Sequence, residues 1–292
     1  MTVRRFAQVD VFGGGAEGFG TTGGNPVAVV LDADGLDDDA MARFARWTNL
    51  SETTFVLPPT DPAADYRLRI FTPGGELPFA GHPTLGSAHA WLAARDEAGT
   101  TPSGALVQEC GIGAVRIGYD DAGRFAFAAP PLTRSGPPDA ATLDRVRTAF
   151  GLAPDDVVAA EWVSNGPPWL ALMLDDGRRV LEATPDTTAL GPDDFVGLVG
   201  PWPDRADAHY EVRAFVPGMG VPEDPVTGSL NAGIAVWLRR GAAGPGLRAP
   251  SSYVAAQGTA IGRAGRVFVD DDGDDVWIGG ACTTVISGTV DL

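Results

Sequence analysis

Three residues of the types used in proton transfer lie in or beside glycine-rich and β-forming segments. His82 lies in "AGHPTLGSAHAWL" (80–92), and Asp224 lies in "EDPVTGSLNAGIAVWL" (223–238). The two segments echo each other, with the histidine and the aspartate at matching places. Glu52 directly precedes "TTFVL", although glutamate is a poor strand former. Histidine and carboxylates are common general acids and bases, so these residues predict proton-transfer chemistry.

Each of these residues also has an ordinary structural interpretation. Asp224 stands before a predicted helix, where aspartate often caps the first turn. His82 follows a glycine, which is typical of a turn, and Glu52 has the alternative of being a solvated carboxylate. Because His82 and Asp224 occupy matched positions of a repeat, we favour the functional interpretation for that pair.

The echo belongs to a repeat that covers most of the chain. A nearly constant offset aligns residues of the two halves: Tyr66 with Tyr210, Arg69 with Arg213, Phe71 with Phe215, Gly86 with Gly228, and Ser87 with Ser229. A period this long is typical of two similar domains rather than of a solenoid. The proline-rich segment 129–140 marks the junction. We therefore predict a first domain over 1–128 and a second domain that begins at 129.

Each half combines short β segments with one apolar helix. Residues 53–57 and 66–72 are predicted strands, and 37–47 is a predicted polar helix. The echoed segments carry apolar residues at helical spacing all round, which is typical of a buried helix. This pattern predicts an α+β fold in which a sheet wraps round a central helix, made twice. Helix N-termini suit a bound carboxylate, so we expect His82 and Asp224 on opposite walls of a cleft between the domains.

The composition of the 292-residue chain argues against several classes of protein. A net charge of −17 disfavours nucleic acids and anionic membrane surfaces as partners. No apolar run has the length of a membrane span, and the N-terminus lacks the apolar core of a signal peptide, so we expect a cytoplasmic protein. All 21 basic residues are arginine. Pyridoxal phosphate enzymes and P-loop nucleotidases, which need a lysine, are thereby excluded.

The remaining nucleophiles and ligands indicate neither thiol nor metal chemistry. Cys110 and Cys282 lie outside both helix-start segments, so a two-thiol racemase mechanism has no residues to use. The histidines and carboxylates show no recognised metal-binding spacing. We therefore expect a protein that uses neither a metal nor another cofactor.

Five segments in order resemble the PhzF-like isomerases of phenazine biosynthesis, which have the diaminopimelate epimerase fold. These segments are "GNPVAVV", "SETTFV", "RIFTPGGELPFAGHPTLGSA", "EDPVTGS" and "QGTAIGRAGRV", and they extend from Gly24 to Val267. The resemblance implies two pseudo-symmetric domains, each a mostly antiparallel β-barrel around a central helix, in a homodimer. It also implies that a last strand at 282–292 returns to the first domain, so that the second domain covers 129–281.

The resemblance further implies a reaction and a role for each residue. The namesake reaction is the cofactor-free isomerisation of trans-2,3-dihydro-3-hydroxyanthranilate. Glu52 would remove the proton at C3 and redeliver it to the ring, while His82 and Asp224 would hold and polarise the hydroxyl and amino groups. The substrate carboxylate would bind at three residues of the helix starts: Gly81, Gly228 and Ser229.

The substrate is less closely defined than the chemistry. Val226 stands where alanine is common in the family, and the extended loop 13–24 is expected to reshape the entrance to the site. Two alternatives therefore stay open beside the isomerase. One is an amino-acid racemase or epimerase in which Glu52 or Asp224 replaces the thiols. The other is a small-molecule binding protein that has kept the cleft without catalysis.

Overall fold

The computed structural model describes residues 2–13, 20–99, 105–120, 123–219, 221–241 and 249–292. Half of the entrance loop predicted over 13–24, residues 14–19, lies outside the described residues. The chain divides into two compact units, one of Met1–Ala128 with Gly279–Leu292 and the other of Ala129–Ile278. This division places residues 279–281 in the first unit.

The first unit is a barrel of eight strands. Its elements are β1 (Val3–Val11), β2 (Asn25–Val30), α1 (Asp38–Thr48), β3 (Glu52–Leu57), β4 (Tyr66–Thr72), β5 (Gly75–Leu77), α2 (Gly81–Glu97), β6 (Leu106–Cys110), β7 (Gly113–Tyr119) and β8 (Arg124–Ala128). The last strand of the chain, β16 (Val276–Asp291), continues the order β1-β2-β3-β4-β6-β7-β8. Because β16 also pairs with β1, the sheet closes on itself.

Helix α2 forms the centre of this barrel. It contacts β1, β2, β3, β4 and β8, and every residue from Gly81 to Ala88 is buried. A Cβ on Gly86 would lie only 2.4 Å from Cγ1 of Val27, so the absence of a side chain lets the helix approach the sheet. The apolar character of the helix is thus explained by contact with strands on several sides.

The second unit repeats the arrangement of strands around a buried helix. Its elements are α3 (Ala140–Ala149), β9 (Val157–Trp162), β10 (Trp169–Leu174), α4 (Gly177–Glu182), β11 (Phe195–Pro201), β12 (Tyr210–Val216), β13 (Val221–Asp224), α5 (Gly228–Arg239), β14 (Ser252–Gln257) and β15 (Gly265–Asp271). The strand order is β15-β14-β12-β11-β10-β9, with β13 on β12. Helix α5 is buried from Gly228 to Ala235 and contacts β10 and β15.

The two units share one order of elements. In the first unit β2 pairs in parallel with β3 across α1, and β4 with β6 across α2. In the second unit β10 pairs in parallel with β11 across α4, and β12 with β14 across α5. Parallel neighbours need such crossovers, whereas the remaining neighbours are mostly antiparallel. The predicted α+β fold of two pseudo-symmetric parts is confirmed.

An arginine–glutamate pair recurs at the same place in both units. Arg69 of β4 donates to Glu76 of β5 through Nε at 2.8 Å and Nη2 at 2.6 Å. Arg213 of β12 donates to Glu223 of β13 through the same two nitrogens, at 2.9 and 2.8 Å. Each bidentate pair fastens the short strand that leads towards a central helix.

Across the residues that the structure describes, no helix combines the length and the hydropathy of a membrane span.

Candidate active site

Glu52 and His82 come together at the start of α2. Glu52 is the first residue of β3, and His82 is the second residue of α2. The distance from Oε2 of Glu52 to Nε2 of His82 is 3.2 Å, and their side chains are 14% and 5% exposed. The interpretation of Glu52 as a solvated carboxylate is therefore wrong. His82 lies in a helix rather than a turn, although its ring does bond the backbone, as that interpretation expected. The pair is a carboxyl group and an imidazole held together, largely away from bulk water.

The backbone of Pro26 determines which nitrogen of His82 carries the proton. Burial lowers the pKa of His82 to about 3, opposed by a hydrogen bond between the ring and the backbone of Pro26. Proline has no N–H, so its carbonyl accepts this bond and the ring donates. Because Nε2 faces Glu52, the donor to Pro26 is Nδ1. At neutral pH His82 is thus uncharged, with the lone pair of Nε2 directed at Glu52.

The facing atoms of Glu52 and His82 favour one shared proton. A carboxylate oxygen and the lone pair of a neutral imidazole are both acceptors, so their approach to 3.2 Å is favourable when a proton lies between them. Once Glu52 has taken a proton, its O–H can donate to Nε2. The arrangement therefore stabilises the protonated form of Glu52 and suits it to act as a base.

Asp224 occupies the corresponding loop before α5 but is not a helix cap. It ends β13, opposite Ala214 of β12, and Thr227 holds the N-cap position of α5. The hydroxyl of Thr227 lies 2.5 Å from Oδ2 of Asp224. The interpretation of Asp224 as the cap of this helix is therefore wrong, because Thr227 holds the N-cap position.

The starts of the two central helices lack the side-chain caps that the other helices have. Helices α1, α3 and α4 each begin with an aspartate that accepts a backbone N–H: Asp37, Asp139 and Asp176. The N-cap residues of α2 and α5, Ala80 and Thr227, make no such bond. The first residues of these helices are Gly81 and Gly228, which are buried and carry no side chain. Uncapped N–H groups at a helix start can bind an anion such as a carboxylate.

Ser229 is oriented by two residues that sequence reasoning missed. Its Oγ accepts a hydrogen bond from Nε1 of Trp169 at 3.0 Å, and its carbonyl accepts one from Nδ2 of Asn165 at 2.9 Å. Because the indole N–H uses a lone pair of the hydroxyl, the hydroxyl proton remains to be donated. Trp169 lies in "GPPWLALMLD" (166–175), which parallels "GNPVAVVLD" (24–32) in the first half, but the parallel gave its side chain no role.

Gln257 is a further residue of this region that sequence reasoning left without a role. It ends β14, is fully buried and bonds both Thr227 and the carbonyl of Asp224. The signal was its place at the head of "QGTAIGRAGRV", one of the five segments of the resemblance. Its contact with Asp224 is non-local and depends on the pairing of β12 with β14.

Metal and thiol chemistry receive no support from the residues that the structure describes. Among them, histidines, cysteines and carboxylates form no group of three or more that could hold a metal ion. Cys110 and Cys282 are free thiols, and burial raises the pKa of both. Thiolates at these positions are therefore disfavoured at neutral pH.

Two similar α+β units, each with an uncapped buried helix and acid/base residues beside its start, define the class of isomerases with the epimerase-like fold. Comparisons with known proteins agree. The family model for phenazine biosynthesis-like proteins (PhzC-PhzF) matches residues 12–288. A PhzF-family crystal structure from Bacillus anthracis aligns over 100% of both chains, with a TM-score of 0.79 and 24% identity.

Two sequence relatives make the assignment closer. The trans-2,3-dihydro-3-hydroxyanthranilate isomerase of Pseudomonas aeruginosa is 34% identical over 258 residues, which cover 86% of each chain. A Schizosaccharomyces pombe protein named antisense-enhancing sequence 1 is 36% identical over 307 residues, covering 99% of each chain. The chain belongs to the phenazine biosynthesis-like (PhzC-PhzF) family, as the resemblance predicted, and the protein is an isomerase.

Proposed function

We propose that the protein transfers a proton by general acid/base catalysis, without a cofactor, on a small metabolite that carries a carboxylate. The substrate is of the trans-2,3-dihydro-3-hydroxyanthranilate type. The observation that carries this proposal is the approach of Oε2 of Glu52 to Nε2 of neutral His82 at the start of α2. A base that can store a proton within a largely buried pair is what a proton-shifting isomerase requires.

Glu52 is the residue that moves the proton. Its carboxylate takes the C3 proton of the substrate, the electrons of that C–H bond enter the conjugated system, and the ring later accepts the same proton from the Glu52 carboxyl group. No atom is gained or lost in the cycle, so neither an oxidant nor a hydride donor is needed. His82 supports the intermediate state because Nε2 accepts a hydrogen bond from protonated Glu52.

The other site residues bind and polarise the substrate. Asp224 and His82 hold the hydroxyl and amino groups, which are hydrogen-bond donors; Nε2 is the one acceptor of His82 and serves the substrate before Glu52 takes the proton. Candidates to bind the substrate carboxylate are the backbone of Gly81 in the first unit and, in the second unit, the backbone of Gly228 and the hydroxyl of Ser229. Support for this assignment comes from the uncapped starts of α2 and α5, and from the indole N–H that leaves the Ser229 proton free to be donated.

Helix starts also explain how a protein of net charge −17 without lysine can hold an anionic substrate. The partial positive charge of a helix N-terminus acts locally, within about one turn. It therefore attracts a carboxylate that has reached the site even though the protein as a whole is acidic. Relatives of this chain that are named trans-2,3-dihydro-3-hydroxyanthranilate isomerases support the same substrate class.

The proposal is tested by proton NMR in D₂O with trans-2,3-dihydro-3-hydroxyanthranilate. Wild type is compared with Glu52→Gln and with Glu97→Gln, an exposed carboxylate at the end of α2 that serves as the control. We expect isomerised product from wild type and from the control. Turnover of Glu52→Gln should fall by about 10²- to 10⁴-fold, with an unchanged circular dichroism spectrum.

The same experiment, extended to a panel of amino acids, decides between the alternatives. Deuterium at an α-carbon of an amino acid, without isomerised product, would replace the proposal by a racemase or epimerase. Binding without exchange into any compound would replace it by a non-catalytic binding protein. Full activity of Glu52→Gln would move the base to another residue.

A further inference from the structure

Gln257 has every hydrogen-bonding position of its side-chain amide occupied. Its Oε1 accepts from the backbone N–H of Thr227 at 3.0 Å and from Nδ2 of Asn231 at 2.9 Å. Its Nε2 donates to Oγ1 of Thr227 at 2.9 Å and to the carbonyl of Asp224 at 3.1 Å. The residue is completely buried. An amide with two donors and two acceptor sites is thereby saturated, and all its partners lie in α5 or in the loop before it.

The orientation of this amide follows from chemistry alone. The backbone N–H of Thr227 can only donate, so the amide atom facing it must be the oxygen. The nitrogen then faces the Thr227 hydroxyl and the Asp224 carbonyl. The reverse orientation would place two donors against each other in a site that water does not reach, which is costly.

A fixed amide also fixes the direction of the next hydrogen bond. Oγ1 of Thr227 accepts from Gln257, so the single proton of this hydroxyl is directed at Oδ2 of Asp224, 2.5 Å away. The hydrogen bonds are therefore donated in one direction, from Gln257 to Thr227 and from Thr227 to Asp224. A hydrogen bond donated to a carboxylate oxygen favours the ionised form of the carboxyl group.

The segment that begins with Gln257 also supports the backbone beside Asp224. Gly258 has φ of +86°, and a Cβ on it would lie 2.7 Å from the carbonyl oxygen of Pro225. A Cβ on Gly265 would lie 2.3 Å from Cγ2 of Val226. The glycines of "QGTAIGRAG" thus allow this segment to pack directly against the loop 224–227.

We propose that Gln257, acting through Thr227, is a positioning residue that holds Asp224 as an ionised hydrogen-bond acceptor. Asp224 then selects substrates that present donor groups, hydroxyl or amino, and does not supply the transferred proton. This inference rests on the proposed function, in which Asp224 binds the polar groups of the substrate. It assigns a purpose to the segment 257–265, for which the proposed reaction alone gives none.

The first unit contains a matched control. Gln108 of β6 is also completely buried and also bonds a threonine in the first turn of a central helix. Its Oε1 accepts from the hydroxyl of Tyr66 at 3.2 Å, and its Nε2 donates to Oγ1 of Thr84 at 3.0 Å. Neither partner is a carboxylate. A Gln→Glu substitution at this site therefore tests the effect of changing a buried amide that is not hydrogen-bonded through a threonine to a carboxylate.

Neutron diffraction from deuterium-exchanged crystals of the wild type tests the direction of these hydrogen bonds without any substrate. We expect the deuteron of the Thr227 hydroxyl on the line to Oδ2 of Asp224 and two deuterons on the Gln257 nitrogen that faces Thr227 Oγ1. A deuteron on either carboxyl oxygen of Asp224, or a Thr227 hydroxyl that points at Gln257, would overturn the inference. Because this result does not depend on turnover, it stays separate from the test of the proposed function.

Kinetics of four variants test the consequence for catalysis. Gln257→Glu replaces the N–H donor that faces Thr227 with an oxygen. Thr227→Val removes the hydroxyl that connects Gln257 to Asp224, and Thr227→Ser retains a hydroxyl there. Gln108→Glu is the control. We expect kcat/KM to fall by about 10- to 100-fold for the first two, since hydrogen bonds to charged groups have this weight. Thr227→Ser and Gln108→Glu should stay within about threefold of wild type per folded molecule.

Coupling distinguishes positioning from a general loss of stability. Gln257→Glu and Thr227→Val disrupt the same series of hydrogen bonds to Asp224, so the double variant should be no slower than the slower single variant. Additive losses, or a Gln108→Glu loss equal to that of Gln257→Glu at equal melting temperature, would overturn the inference. A wild type that fails to isomerise the substrate would refute the proposed function instead.

Discussion

The starts of α2 and α5 occupy the same place in two copies of one fold, yet the carboxyl groups beside them have different hydrogen-bond partners. At α2, Glu52 faces the lone pair of His82, and the two acceptors favour a proton between them. At α5, Oδ2 of Asp224 accepts a hydrogen bond from the hydroxyl of Thr227. In the proposed function, the first unit stores and returns the proton, and the second unit holds a donor group of the substrate.

The comparison indicates that the hydrogen-bond partners of an ionisable side chain, and not its residue type alone, determine its protonation state. The carbonyl of Pro26 sets the tautomer of His82, and through it the protonated form of Glu52 is stabilised. The amide of Gln257 sets the direction of the bond to Asp224. A duplicated frame can thus supply two unlike functional groups when the residues that orient them differ.

The largest stability difference is expected for the two arginine–glutamate pairs. The side chains of Arg213 and Glu223 are 6% and 9% exposed, whereas those of Arg69 and Glu76 are 19% and 42% exposed. Glu223→Gln leaves a buried charge without its partner and should cost about 3–5 kcal/mol of unfolding free energy. Glu76→Gln should cost at most about 1 kcal/mol. Urea unfolding measures both, and equal losses would contradict the distinction.

A smaller effect is expected for the serines at matching positions of the two helix starts. Ser229 bonds the indole of Trp169 and retains a proton to donate, whereas Ser87 is completely buried and bonds the hydroxyl of Thr54 at 2.8 Å. Ser229→Ala should raise KM by about 10- to 100-fold, because a bond to the substrate carboxylate is lost. Ser87→Ala should cost about 1 kcal/mol of stability and leave KM unchanged. An increased KM in Ser87→Ala alone would reverse the assignment.

A third difference concerns the pH dependence of stability that His82 causes. Its pKa is about 3 in the folded protein and near 6.5 when unfolded, so the unfolded state binds its proton first as the pH falls. Stability should therefore decrease between about pH 6.5 and 3, by up to about 1.4 kcal/mol per pH unit from this residue. His82→Gln should show a shallower decrease in urea unfolding at pH 7, 6, 5 and 4. Identical slopes would mean that His82 is not buried in its neutral form, since the other titrating groups are common to both proteins.

Much of the fold could be predicted because its determinants are local or repeated. The polar helix predicted over 37–47 is found at Asp38–Thr48, and the strand predicted over 66–72 is found at Tyr66–Thr72. Both apolar helices are buried as their composition indicated. The repeat carried the pseudo-symmetry, since aligned residues such as Arg69 and Arg213 make equivalent pairs.

The proton roles could not be predicted from the sequence. They depend on hydrogen bonds between residues that strand register brings together, such as Gln257 and Thr227, which are 30 positions apart. The contact of Pro26 with His82 likewise depends on how α2 lies in the barrel. Sequence reasoning could name Glu52, His82 and Asp224 as candidates, but the neighbours that set their protonation became visible only in the structure.

The most direct test of the account compares two carboxylate-to-amide variants, Glu52→Gln and Asp224→Asn, by steady-state kinetics with trans-2,3-dihydro-3-hydroxyanthranilate. If Glu52 moves the proton and Asp224 only accepts hydrogen bonds, Glu52→Gln should lower kcat by about 10²- to 10⁴-fold with KM near that of wild type. Asp224→Asn should act mainly by raising KM. A loss of kcat in Asp224→Asn as large as that in Glu52→Gln, with KM unchanged, would contradict the division of roles between the two helix starts.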